Sequence, residues 1–206
     1  MIHYETLNKF AEELDVGHFC SICVVTEGVH NSDQTIGVFA RNSKEPGIHR
    51  FLLRAGCNPS KSEQFSKLSM EWYMPRVTKE YTGKEAEETF CEYLKGACLL
   101  SWSKKFHRTR LVNWLPALSR KPYIDVMLLF RALNTHTPIT TMEGVAGLNK
   151  ILGEIPKNGV SEQLNKAYQN LFDREIRYRQ GEPLAVGMTK AILDVTASAA
   201  HYAKRL

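Results

Sequence analysis

Ten residues, Phe19–Gly28 (Phe-Cys-Ser-Ile-Cys-Val-Val-Thr-Glu-Gly), do most to limit what this chain can fold into. A short, nearly unbroken run of apolar and β-branched residues, closed by Gly28 and the polar 29–34 connection, predicts a buried strand. The rest of the chain is then expected to supply a sheet and helices around it. The run holds one carboxylate, Glu27.

Cys20 and Cys23 within it have the spacing of a metal or redox pair. On a strand, positions three apart point to opposite faces, so the two thiols cannot share a metal. No second pair completes a four-thiolate zinc site, and five cysteines without scaffold spacing suit reduced thiols. The apolar runs at 19–26 and 124–130 are too short to span a bilayer, so no membrane association is expected. The acidic start (Glu5, Glu12, Glu13, Asp15) is unlike a signal peptide, which makes a cytoplasmic or nuclear location the expectation. A formal charge of +5 is a mild bias toward anionic partners.

In chain order, Tyr4, Leu7, Phe10, Ala11 and Leu14 form a helical stripe. After the buried strand, Thr35–Ala40 and His49–Ala55 read as two more strands, and the short connections predict an antiparallel meander. Ser60–Trp72 has the apolar spacing of a short helix. Lys84–Lys95 reads as a helix with an acidic first turn, opened near Thr82 or Gly83 and closed by Gly96. Ala97–Ser101 is a short strand, Ser103–Leu115 a basic helix, and Tyr123–Val126 a strand running into a helix to Leu133. Helices are expected at Thr141–Leu152, Ser161–Phe172 and Met188–Lys204. A meander followed by alternating helices and strands gives an α/β fold with a mixed sheet.

This order of elements, with several local strings, resembles the DnaQ-like (DEDDh) 3′–5′ exonucleases of the ribonuclease H-like fold. Arg50-Phe51-Leu52-Leu53 resembles their third strand, and Thr89-Phe90 through Leu94-Lys95-Gly96-Ala97-Cys98-Leu99-Leu100 resembles "F..F..GA.LVAHN". Lys105-Phe106 is similar to the "xFD" helix, Tyr123-Ile124-Asp125-Val126-Met127-Leu128-Leu129 to "IDTLxLA", and 191–199 to the terminal "HxAxxDAxAT" helix. The resemblance implies one exonuclease-like domain over 1–206 with a five-stranded mixed sheet flanked by α-helices. Within it an N-terminal helix would occupy 4–14, sheet and helices 19–134, and C-terminal helices 141–206.

The family's chemistry is hydrolysis by two divalent ions, roughly 3.5–4 Å apart, held by four carboxylates. A histidine acts there as general base. Aligned by position, the first-strand "DxE" falls on Cys23 and Val25, the "FD" aspartate on His107 and the general-base histidine on Thr189. Asp194 alone is retained; Asp125 is also kept, at a position that is mainly structural in the family. Hard cations need oxygen ligands, so these vestigial positions imply a catalytically degenerate member for which no cofactor is expected.

The alternative is an active exonuclease with a rearranged Mg2+ or Mn2+ site. Glu27, two residues beyond Val25, would join Asp194 and His107 there; the plainer reading of Glu27 is a solvated strand end. The favoured function is nucleic-acid binding without cleavage, or a place in a nucleic-acid-processing complex, through the former substrate cleft. Its candidate residues are Trp102, Lys104, Lys105, Arg108 and Arg110, where cations for phosphates interleave with aromatics for bases. Trp114, Leu111, Leu115 and Leu118 read as a core stripe. A third reading is a protein-interaction module with a protein partner.

Overall fold

The computed structural model describes residues 18–28, 33–45, 48–62, 81–127, 164–166, 168–169, 172, 175–176 and 183–203, with side chains of the last stretch described to Ala197. The expected helices at 4–14 and 141–152, most of those at 60–72 and 127–133, and half of that at 161–172 lie outside the described residues.

Five strands form one sheet in the order β3-β2-β1-β4-β5. They are β1 (Phe19–Thr26), β2 (Thr35–Asn42), β3 (His49–Leu53), β4 (Cys98–Ser101) and β5 (Tyr123–Asp125). The apolar run is the centre of the sheet, and all eight of its residues are buried. β1–β2–β3 is the antiparallel meander that the short connections predict. β4 joins β1 in parallel, and β5 joins β4 in parallel, so the sheet is mixed.

Parallel strands need crossovers, and two helices provide them: α1 (Lys84–Tyr93) between β3 and β4, and α2 (Lys104–Trp114) between β4 and β5. A third helix, α3 (Leu184–Ala203), begins four residues before the expected start at Met188 and runs against β1, β2 and β4. The period-two alternation of β1 sorts the layers. Cys20, Ile22 and Val24 pack with Phe90 of α1, Leu94 just past its end and Leu111 of α2. Phe19, Cys23 and Val25 pack with Ala185, Met188, Ile192 and Val195 of α3. Cys20 and Cys23 therefore do face opposite ways, each in a separate apolar layer. The architecture is α/β, a five-stranded mixed sheet between helices.

Gly37 on β2 leaves room for the neighbouring strand. A Cβ there would come within 2.8 Å of Phe51 Cε2 and 2.9 Å of the Leu52 carbonyl oxygen. Phe51 instead stacks on Phe39 at 4.3 Å between ring centroids.

Candidate functional site

The face of β1 that carries Cys23 and Val25 is closed by α3. Ser21 Oγ donates to the Thr189 carbonyl at 2.7 Å, and Cys23 Sγ lies 3.9 Å from Met188 Sδ. Thr189 Oγ1 donates to the Val186 carbonyl at 2.8 Å and accepts from Arg41 Nε at 3.5 Å. Cys23, Val25 and Thr189 are each 0% exposed. Burial pushes the Cys23 thiol up to about 12, so it stays protonated. A divalent ion fits this set of residues poorly. A neutral thiol, an alkyl group and hydroxyls already turned onto carbonyls give it no anionic oxygen.

The other candidate positions named from the resemblance do not converge. Asp194 sits on the half-exposed side of α3, where its carboxylate accepts from Tyr168 Oη at 2.9 Å and pairs with Lys190 one turn earlier. Glu27 lies just past β1 and pairs with Lys61 at 3.3 Å. His107 belongs to the opposite layer, on α2, and is 1% exposed. Its Nδ1 accepts the Val24 backbone N–H at 3.0 Å. The tautomer is thereby set with the proton on Nε2, which has no partner among the described residues. Burial first, and Arg110 second, hold the His107 pKa down at about 3, so the ring is neutral at physiological pH. Among the described residues, no three His, Cys, Asp or Glu side chains are grouped to hold a metal ion.

The cationic segment divides in two. Trp102 is 0% exposed, in the layer under α3, because it continues the alternation of β4 two residues after Leu100. Arg110 is 7% exposed, and its guanidinium lies 3.8 Å over the Phe106 ring. These two of the five nucleic-acid-binding candidates therefore do not reach solvent as expected. Trp114 ties helices together, its indole N–H donating to Glu87 Oε1 of α1 at 2.8 Å.

Lys104, Lys105 and Arg108 come together. With Thr109, Val112, Asn113 and Asp125 they line an open groove of about 550 Å3 along the outer face of α2. Arg108 Nη2 donates to the Ser119 carbonyl at 3.0 Å, which fixes the guanidinium beside the lysines. Asp125, at the end of β5, accepts the Lys104 backbone N–H through Oδ2 at 2.9 Å and so caps α2 from outside the helix. Three cations thus share the groove with one carboxylate already engaged by the helix end. Thr109, Val112 and Asn113 were absent from the sequence expectation. Their signal was the spacing: Lys104, Arg108 and Val112, like Lys105, Thr109 and Asn113, recur every fourth residue and share a helix face.

No family model matches the chain, and no curated protein matches it.

Proposed function

We propose that this chain is a non-catalytic, ribonuclease H-like relative of the DnaQ-like exonucleases that binds nucleic acid along the outer face of α2. An antiparallel meander followed by two parallel strands, each reached through a helix, supports the fold reading. The packing of α3 over Cys23 and Val25 supports the loss of catalysis. The observation that carries the binding reading is the gathering of Lys104, Lys105 and Arg108 in one groove. On this reading the binding face is the exterior of the α2 crossover and not the face of β1 that α3 covers.

The test uses 3′-labelled single-stranded DNA and RNA with Mg2+ and, separately, Mn2+, scoring both shortening and retention. Retention without shortening, weakened by salt and by Lys104→Glu/Lys105→Glu, is the expected result. Metal-dependent shortening that vanishes in Asp194→Ala overturns the non-catalytic reading. Absence of both retention and shortening overturns nucleic-acid binding and leaves a protein partner.

A further inference from the structure

Resting on that reading of α2, we infer that the groove takes the sugar–phosphate backbone of nucleic acid and makes no use of the bases. None of the aromatic side chains interleaved with the cations lines the groove. Trp102 lies in the core, Trp114 is bonded to Glu87, and Phe106 lies under Arg110 with its edge toward His107 at 5.2 Å between ring centroids. Base stacking, the usual source of affinity for unpaired strands, thus has no platform among the described residues that line the groove. Apart from the Val112 side chain, what the segment presents to the groove is ammonium, guanidinium, hydroxyl and amide, the groups that engage phosphate oxygens.

The placement of the lysines argues independently for an anion. Lys104 and Lys105 open α2, where the helix dipole is positive and cations are disfavoured. α2 has no acidic residue in its first turn and no basic residue in its last. α1 in the same protein follows the ordinary rule, with Glu85 and Glu87 in its first turn. Asp125 supplies one carboxylate at that end, and three cations against it leave a net positive groove for a phosphate backbone to lie across.

Fluorescence anisotropy separates this inference from the proposal it rests on. The full chain is titrated with a single-stranded oligonucleotide and with an abasic strand of equal length, over a range of salt. The two strands are expected to bind within about twofold of each other. The slope of log K against log salt is expected near −2, about 0.7 for each of three phosphate contacts. Lys104→Gln/Lys105→Gln, with an unchanged circular dichroism spectrum, is expected to bring that slope to about −0.7. An abasic strand that binds tenfold more weakly overturns base-independence and leaves nucleic-acid binding standing. No binding of either strand overturns both, and an unchanged slope in the double variant removes the α2 face from both.

Discussion

His107 explains, at the scale of one side chain, why the central strand can outrun its neighbour. The β1–β4 pairing covers Phe19–Ser21 against Cys98–Leu100, so among the described residues β1 continues on that edge without a strand beside it. The Val24 N–H is then satisfied by the imidazole of α2 instead of a carbonyl. Removing the ring in His107→Ala orphans a buried donor and is expected to cost about 1–3 kcal/mol in urea unfolding, before any cavity is counted. The same bond sets a pH dependence. The ring titrates near 3 in the folded chain against an ordinary 6.5, so between those values the unfolded chain binds more protons. This contribution is complete above pH 6.5, falls as pH drops toward 3, and is flat below. A loss on the order of a few kcal/mol is expected over that window, and the difference between wild type and His107→Gln isolates it from the carboxylates. Cys23 supports a second test. Cys23→Asp restores a carboxylate of the resembled family, yet it places a charge against Met188 with no partner. It is expected to destabilise by about 3–5 kcal/mol. Millimolar Mg2+ is expected to leave its melting temperature unchanged; a rise with Mg2+ would show that the face still builds a metal site.

The crossover helices show what an element gives up for a surface. α1 carries Glu85 and Glu87 at its start, and Gly83 and Gly96 flank it with φ of 90° and 74°, conformations that suit glycine. α2 opens instead on two lysines and borrows its capping carboxylate from Asp125 of β5. Lys105 is the exposed one of the pair, so Lys105→Glu puts a negative charge at the positive end without entering the core. It is expected to stabilise the fold by about 0.3–1 kcal/mol at low salt while weakening oligonucleotide binding. Opposite signs for stability and binding are the signature of a residue kept for its ligand. A variant that lost both together would mark Lys105 as an ordinary part of the helix.

At the scale of the whole molecule, what could be read from the sequence was what local pattern encodes. The unbroken apolar run of β1 and the period of two that parts Cys20 from Cys23 announced a central strand and its two layers. Strand alternation extended past Ser101 would also have buried Trp102, but the neighbouring lysines masked it as part of a cationic surface. The early start of α3 was hidden by Gly187, which interrupts the helical stripe yet is buried. The packing that closes the Cys23 face lay beyond local reading altogether, because Ser21 and Thr189 are 168 residues apart and no period connects them. That long-range contact raises a question of cooperativity, since α3 closes the face only while it stays docked. The two buried thiols report on it from either side of one strand. Cys57, Cys91 and Cys98 are half-buried, while Cys20 and Cys23 are both 0% exposed and both pushed up to about 12 by burial. With a thiol reagent at neutral pH, the half-buried three are expected to react first. Cys20 and Cys23 are expected to follow together, at the rate of global opening, because either layer must leave the sheet before its thiol is reached. Mass spectrometry of the labelled peptides resolves the order. Labelling of Cys23 well ahead of Cys20 would mean that α3 lifts off while α1 and α2 stay packed. The closed face would then be a door and not a core, and the non-catalytic reading would have to be tested on the open form.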